Sequence, residues 1–187
     1  MVSREAVAAE GVAGGYAAVY PVLRAMEESG RARRGYFVAG LGAAQFAIPG
    51  AVERLRAARE EDEDATRILA ATDPAQPYGA ALPWPRWSDE DRRPLARAAG
   101  AYVVIVDGQP TVYLDRGGRS LQTLPAFADR EMAAASLTAL RGLLADGRFR
   151  LLSLEKVDGQ PLADSPHADV LEAAGFQRSY RGWLLRA

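Results

Sequence analysis

The sequence lacks cysteine, and this absence excludes disulfides, thiolate nucleophiles and cysteine-ligated zinc sites. Its single histidine, His167, is too few for a histidine-rich metal site, so no metal is predicted and a surface position is favoured for this residue. No run of about 18 apolar residues occurs, which predicts that no helix spans a membrane. The first residues lack a basic segment followed by an apolar core, so no signal peptide is predicted and a cytoplasmic location is expected.

Lysine is nearly absent as well, because Lys156 is the only one and all other basic residues are arginines. A GC-rich genome explains this bias more readily than selection for bidentate phosphate contacts. The formal net charge is −1, so no overall field draws the chain toward nucleic acid or membrane, and any basic surface must be local. The length of 187 residues is enough for one domain of ordinary size or two small ones.

The first 59 residues predict two helices, a β-hairpin and a third helix. Ser3 is placed to cap the first helix, and Gly30 is placed to end the second. Pro21 either kinks that second helix or occupies the first turn of a further one. The hairpin strands are predicted at Arg33–Val38 and Ala43–Ala47. Helix, helix and hairpin in this order form the latter part of a winged helix-turn-helix, so residues 1–59 predict a partial winged-helix module.

The remaining residues predict a second domain, which makes the fold class α+β. An acidic run opens a linker predicted at 60–66, and residues 67–187 predict a small β-barrel-like antiparallel sheet with flanking helices. Prolines crowd residues 72–87 and exclude regular structure there. The predicted strands are Arg67–Ala71, Ala101–Val106, Thr111–Leu114, Ser120–Leu124, Phe149–Val157 and Tyr180–Arg186. Two helices are predicted, one capped by Asp129 and running to Ala145, the other capped by Ser165 and ending at Gly175.

The pentapeptide VDGQP occurs twice, at Val106–Pro110 and Val157–Pro161. An internal duplication would explain this repeat. The flanking sequences do not match, however, and Asp-Gly is a favoured pair in two-residue hairpin turns. Two turns that converged on the same chemistry are therefore the favoured interpretation.

Three arginines stand where the second helix gives way to the hairpin: Arg31, Arg33 and Arg34. In a winged helix the hairpin, called the wing, lies along the DNA backbone or in the adjacent minor groove, where guanidinium groups pair with phosphates. The same arginines would also serve as solvated charges that protect a hairpin edge from aggregation. Composition does not separate these two interpretations. Tyr36 and Phe37 alternate along a strand, so one is expected in the core and the other at least partly exposed.

Residues 33–56, RRGYFVAGLGAAQFAIPGAVERLR, closely resemble a motif near the C-terminus of Lhr-type (large helicase-related) bacterial helicases. The resemblance continues through residues 71–85, ATDPAQPYGAALPWP, and covers nearly the whole chain. Members of this family are ATP-dependent superfamily 2 helicases that translocate along single-stranded DNA and are linked to DNA repair. Long members carry a C-terminal extension of tandem winged helices that ends in a β-barrel module, and this extension is similar to AlkZ-type DNA glycosylases.

The resemblance implies that the chain is part of such an extension. The sequence contains neither a GxxxxGK[ST] loop nor a DEAH-type box, so ATP and magnesium belong to the motor of the parent protein and no cofactor is expected here. The family has a helix and a short strand before the segment resembling VSREAVAAEG, so the chain is expected to begin partway through a winged-helix module. The expected partners are DNA that is single-stranded or damaged, the rest of the helicase chain, and a second copy of the chain.

Candidate catalytic residues are few. AlkZ-type enzymes use a closely spaced pair of glutamines near the DNA backbone. Gln45 lies in the matched motif, but it is a single glutamine and not a pair. A hydrogen bond from its side chain to the protein backbone or to solvent is therefore the favoured interpretation. Among the acidic residues Asp73 has the least obvious structural use, although an Asx-type turn is favoured there too. Trp84 is expected to be buried. Trp87 is equally consistent with burial and with stacking on an unpaired base.

The first functional hypothesis is a DNA-binding C-terminal module of an Lhr-type repair helicase, with contacts led by the DNA backbone and weak sequence preference. The alternatives are a DNA glycosylase module that acts on damaged bases, with Asp73 and Gln45 as weak catalytic candidates, and an oligomerisation module, which the near-neutral charge favours. Whether the chain is itself an enzyme stays open. The candidate DNA contacts are Arg31, Arg33, Arg34, Tyr36, Gln45 and Trp87.

Overall fold

The computed structural model describes residues 1–42, 44–60, 65–88, 90–91, 95–161 and 166–186. The chain divides into two compact units, one formed by Met1–Glu63 with Pro77–Pro83 and the other by Asp64–Gln76 with Trp84–Ala187. The acidic run at 61–64 and the predicted helix cap Ser165 lie outside the described residues. No helix in the described ranges has the length and apolar character needed to span a membrane.

The first unit contains three helices and a short hairpin. Its elements are α1 (Arg4–Ala9), α2 (Gly15–Glu28), β1 (Arg33–Gly35), β2 (Gln45–Ala47) and α3 (Ala51–Glu60). The Ser3 hydroxyl accepts a hydrogen bond from the amide of Ala6, which confirms the predicted cap of α1. Gly30 adopts a φ of 72° directly after α2 and so supplies the left-handed residue that ends this helix.

Helix α2 runs without interruption through Pro21, so the segment is one helix and not two. Proline has no backbone N–H and cannot bond the carbonyl of Ala17, one turn earlier. The helix is held instead by its packing, since Leu23 is buried on the inner side and Tyr20 lies edge-on to Phe46, with ring centroids 6.1 Å apart.

The hairpin strands are shorter than predicted. Beyond Gly35 the side-chain amide of Gln45 takes over the hydrogen bonds that a longer ladder would make, and the backbone leaves the strand conformation there. On its other side β2 pairs with the start of the chain, because Val2 and Phe46 exchange two backbone hydrogen bonds of 2.7 and 2.9 Å. Three strand segments therefore lie beside the helices, as in a winged helix.

The second unit contains two separate sheets. Their strands are β3 (Thr66–Ala70), β4 (Tyr102–Val106), β5 (Gln109–Leu114), β6 (Ser120–Thr123), β7 (Leu151–Leu154), β8 (Lys156–Val157), β9 (Gln160–Pro161), β10 (Gln177–Ser179) and β11 (Gly182–Arg186). The larger sheet has the order β3-β4-β5-β6-β8-β9, and the smaller has the order β10-β11-β7. The mixed α+β class is confirmed. Neither sheet closes on itself within the described residues, so the barrel-like description is not confirmed.

Two strands of the second unit differ from the predicted ones. The stretch predicted as one strand over 149–157 breaks after Leu154, because the amides of Glu155 and Lys156 both turn to the carbonyl of Arg119, and β7 and β8 then join different sheets. The strand predicted over 180–186 begins only at Gly182. A Cβ at this position would lie 2.0 Å from the carbonyl oxygen of Leu154, so only glycine fits where β11 approaches the end of β7.

The helices of the second unit cover one face of the larger sheet. They are a short 3-10 helix (Pro125–Ala128), α4 (Arg130–Ala139), α5 (Arg141–Ala145) and α6 (Ala168–Ala173). The carboxylate of Asp129 accepts hydrogen bonds from the amides of Glu131 and Met132 at 2.9 and 3.0 Å, so the predicted cap is confirmed. On the opposite face of the sheet, Trp84, Leu95 and Ala98 pack around Tyr113, and the Trp84 ring meets the Tyr113 ring edge-on at 5.8 Å.

Both VDGQP copies form the same two-residue hairpin turn. Asp107 and Gly108 have φ values of 47° and 77°, and Asp158 and Gly159 have values of 49° and 80°. Positive φ at both positions is the requirement of a type I′ turn, which Asp-Gly meets at low cost. The two copies connect β4 to β5 and β8 to β9. Their shared sequence therefore follows from shared turn geometry.

Candidate nucleic-acid interface

Two arginines of the wing are available to a ligand. Arg31 and Arg33 are both exposed, Arg31 directly before the hairpin and Arg33 as the first residue of β1. The Nε of Arg31 donates one hydrogen bond of 3.3 Å to the hydroxyl of Ser29, and Arg33 forms no side-chain hydrogen bond or ion pair with any residue that the structure describes. Their guanidinium groups can therefore pair with phosphate oxygens without first breaking an internal ion pair.

Arg34 is held within the protein. Its guanidinium donates to the carboxylate of Glu27 on α2 and lies over the Phe46 ring, 5.2 Å from the ring centroid. The hydrogen bond to Glu27 raises the pKa of Arg34, so this charge is permanent but already neutralised by its neighbour. The sequence does not distinguish the three arginines, whereas in the structure Arg34 differs from the other two because it is ion-paired with Glu27.

The two aromatic residues of the wing differ in exposure. Tyr36 is 80% exposed, and Phe37 packs against the backbone of Gly35, where a Cβ would lie 3.3 Å from its ring. Tyr36 is exposed as expected, but Phe37 is only half-buried and does not belong to the core, because β1 ends at Gly35 before either aromatic. Tyr36 adds an exposed ring and a hydroxyl to the hairpin, and we call Arg31, Arg33 and Tyr36 together the wing edge.

Gln45 is fully buried and holds the wing loop in place. Its Oε1 accepts hydrogen bonds from the amides of Phe37 and Val38 at 3.0 and 2.9 Å, and its Nε2 donates to backbone carbonyls of the loop, those of Val38, Leu41 and Gly42. Every polar atom of the side chain is used. This arrangement agrees with the backbone-bonding interpretation, and it gives Gln45 no contact with DNA while the loop keeps this conformation.

Helix α2, which directly precedes the hairpin, presents an apolar surface to solvent. Val22 is 59% exposed and is accompanied by exposed alanines and by Pro21. The exposed charged residues of this fully described helix, Arg24 and Glu28, bind each other at 2.9 Å. Base edges in the major groove are read chiefly by arginine, lysine, asparagine and glutamine. This helix is therefore poorly equipped to read a DNA sequence.

A cavity of about 620 Å³ lies in the second unit, and we call it the Trp87 pocket. Trp87 forms part of its wall and is 48% exposed, while its indole N–H donates to the carbonyl of Thr123 at 3.0 Å. Phe127 and His167 form another part, with their rings edge-on and centroids 5.2 Å apart. The remaining lining residues are Asp91, Thr123, Ala128, Arg130, Ala133, Asp158, Pro166, Asp169 and Val170.

Acidic side chains dominate the charge of this pocket. Asp158, in the turn of the second VDGQP copy, accepts hydrogen bonds from the amide and the hydroxyl of Thr123 at 2.8 and 2.7 Å. Asp169 binds Arg130, the only arginine among the lining residues that the structure describes, at 2.8 Å. With Asp91 also in the wall, the lining residues that the structure describes carry more negative than positive charge.

Asp73 lies in a turn outside the Trp87 pocket. Its carboxylate accepts a hydrogen bond of 2.8 Å from the amide of Ala75, which is the geometry of an Asx-type turn. Its backbone carbonyl accepts another from Arg97, whose guanidinium also bonds the carbonyls of Thr72 and Gln76. The favoured turn interpretation accounts for these contacts. The two catalytic candidates from the sequence, Asp73 and Gln45, belong to different units.

Comparison with known proteins identifies the first unit. Residues 1–67 match the family model of the winged-helix domain of the large helicase-related protein. The whole chain is 46% identical to a protein of Mycolicibacterium smegmatis named Lhr helicase/probable uracil glycosylase. It is 36% identical, over 97% of its length, to the Lhr helicase/uracil glycosylase of Escherichia coli K12. The chain belongs to the Lhr-type helicase family.

This Lhr-type chain spans 13% and 12% of the lengths of those two relatives. It therefore corresponds to a small segment of a much longer helicase, from the C-terminal region of the family. The predicted resemblance and the predicted winged helix are confirmed.

Sequence reasoning about this Lhr-type chain missed most of the Trp87 pocket. Asp158 was interpreted only as a turn residue, and Thr123 and Phe127 were not singled out. The repeat itself pointed to this residue, because the aspartate of one VDGQP copy, Asp158, also accepts hydrogen bonds from Thr123. The carboxylate of Asp158 reaches Thr123, which lies 35 residues away in sequence, and that contact is visible only in the folded chain.

Proposed function

We propose that this chain is a DNA-binding module of an Lhr-type helicase and that it grips the sugar-phosphate backbone through its wing edge. The observation that carries the proposal is the exposure of Arg31 and Arg33, without ion pairs to described residues, on the hairpin of a winged helix. Guanidinium groups in this position bind phosphates and leave base identity unread.

The character of α2 supports contacts led by the backbone. Its exposed side is apolar, and its charged residues are paired within the protein. A module of this kind holds DNA of any sequence with modest affinity, and its affinity falls steeply with salt. The preferred DNA in this proposal is single-stranded or damaged, as a repair helicase that moves along one strand would encounter. ATP hydrolysis would come from the motor elsewhere in the parent protein.

The test is fluorescence anisotropy with a labelled single-stranded oligonucleotide. The variant R31E/R33E is expected to bind more than tenfold more weakly at low salt. The slope of log K against log salt concentration should be shallower than that of the wild type by roughly 1.4, since each phosphate contact to a single strand contributes about 0.7. The matched control R54E/R56E makes the same charge change on exposed positions of α3. Equal losses in the two variants, or no loss in either, would contradict a specific role for the wing edge.

A DNA glycosylase activity is the second candidate, favoured by the Trp87 pocket and by the names of the two relatives, both of which include uracil glycosylase. Such an enzyme holds an extruded base in a pocket while water cleaves the glycosidic bond. Incubation with uracil-containing DNA followed by alkali treatment tests this directly. Cleavage by the wild-type chain that persists in Asp73→Asn would assign the chemistry to other residues, and the absence of cleavage would leave a binding module.

A further inference from the structure

Trp87 has a geometry that core packing does not explain. Nearly half of its surface faces solvent, yet its ring is fixed because the indole N–H is bonded to the carbonyl of Thr123. Thr123 is itself buried and anchored to Asp158. A large aromatic side chain that is exposed and at the same time pinned offers a rigid flat surface, and a rigid surface binds a partner with little loss of conformational freedom.

The rest of the pocket suits a flat ligand of small size. Phe127 and His167 supply aromatic wall, and Ala133 and Val170 add apolar surface. The cavity volume of about 620 Å³ falls within the range of sites that bind small molecules. Aromatic rings stack on nucleobases without regard to base identity, because every base has a π face.

The charge of the pocket excludes one part of a nucleotide. Its described lining contains three aspartates and one arginine, and this arginine is bound to Asp169. A phosphate group would be repelled here, whereas a neutral base would not be. The wing edge has the opposite character, with exposed arginines. The two surfaces are therefore suited to different parts of a nucleic acid chain.

We propose that the Trp87 pocket binds one unstacked nucleobase of single-stranded DNA, with the base lying on the Trp87 ring and the phosphates outside the pocket. This inference rests on the proposed function in that it requires the chain to bind DNA. It adds a second contact point, in the second unit, that recognises a base rather than the backbone.

The experiment compares two oligonucleotides on the intact 187-residue chain, oligothymidylate and an oligomer of equal length made of abasic units. Trp87→Ala is expected to weaken binding of oligothymidylate by roughly 5- to 150-fold, the loss typical of one stacked base, and to leave binding of the abasic oligomer unchanged. Tyr180→Ala is the matched control, because Tyr180 is fully exposed in the turn before β11 of the same unit. This control should bind both oligomers as the wild type does.

Two further variants keep the test valid if Trp87→Ala does not fold. Trp87→Phe and Trp87→Leu both lose the bond to Thr123, but only phenylalanine keeps a flat ring. Tighter binding of oligothymidylate by Trp87→Phe than by Trp87→Leu supports stacking. Equal binding by the two variants, or an equal loss for abasic and base-containing oligomers, would overturn the proposal.

The failure of this inference is distinguishable from failure of the proposed function. If R31E/R33E loses affinity and the Trp87 variants do not, the nucleobase site is wrong and the wing stands. If only the Trp87 variants lose affinity, the nucleobase site stands and the role of the wing edge is wrong.

Discussion

The wing edge and the Trp87 pocket are built on opposite principles. At the wing edge, Arg31 and Arg33 extend into solvent on a short hairpin, whose loop is fixed from within by Gln45. In the pocket, aromatic walls and aspartates line a cavity, and Trp87 is fixed from within by Thr123. At the wing edge the buried Gln45 amide fixes the backbone of the loop, whereas in the pocket the buried Thr123 holds an exposed side chain directly. The difference in charge indicates that the first suits a polyanion and the second a neutral ring.

The largest expected effect comes from removing the clamp of the wing. Gln45→Ala leaves buried amides and carbonyls of the loop without partners and should destabilise the first unit by about 2–4 kcal/mol. All three tryptophans lie in the second unit, so tryptophan fluorescence should report an unchanged unfolding transition there. Amide hydrogen exchange at Phe37 and Val38 should accelerate markedly. Gln109→Ala, at an exposed position in β5, is the control. Slow exchange at both amides in the Gln45 variant would contradict the clamp.

The two VDGQP turns offer a matched pair of substitutions in one protein. Asp158→Asn weakens the charge-assisted bonds to Thr123 and should lower the stability of the second unit by about 1–2 kcal/mol. Asp107→Asn should be nearly neutral, because asparagine also tolerates the positive φ of this turn. Urea unfolding followed by tryptophan fluorescence measures both. Equal effects at the two positions would show that turn geometry alone sets the cost.

Salt concentration should have a smaller effect on DNA affinity than the R31E/R33E substitutions, and it should act through the wing edge and not through the Trp87 pocket. For two phosphate contacts to a single strand, raising salt from about 50 to about 200 mM should weaken binding by roughly sevenfold. The affinity ratio between wild type and Trp87→Ala should stay constant over this range, because stacking involves no counterion release. Titrations by anisotropy at several salt concentrations measure both quantities. A ratio that shrinks with salt would indicate that Trp87 acts through the phosphates.

The smallest expected effect is at α2. Val22→Glu adds a negative charge to its exposed apolar side and should change DNA affinity by less than about twofold, because this side has no part in the proposed contact. The same variant examined by light scattering tests whether the apolar side holds chains together. A loss of affinity comparable to that of R31E/R33E would show that α2 lies on the DNA after all.

The features predicted well from sequence are those that depend on neighbouring residues. The caps at Ser3 and Asp129 and both Asp-Gly turns were predicted because each is decided within four or five residues. The division of 149–157 was missed. Its cause is the carbonyl of Arg119, which lies more than thirty residues away in sequence.

In the candidate sites too, features set by local sequence were predicted and features set by distant contacts were not. Exposed arginines in the wing were predicted from their order along the chain, but the sequence does not show that Arg34 is bound by Glu27 while Arg33 is not. For Gln45 and Asp73 the sequence left a catalytic and a structural interpretation open. Burial and hydrogen-bond partners favour the structural one, and both depend on contacts that the sequence does not display.

The class of fold, the turns and caps, the absence of cysteine chemistry and the resemblance to Lhr-type helicases follow from composition or from local order along the chain. Which wing arginines lack an ion pair to described residues, which sheet each short strand joins and where a pocket forms depend on the folded chain, because the residues involved are far apart in sequence. Thr123, Asp158 and Trp87 meet because folding brings the end of β6, the turn after β8 and the segment around Trp87 together, and their combined geometry is a property of that assembly.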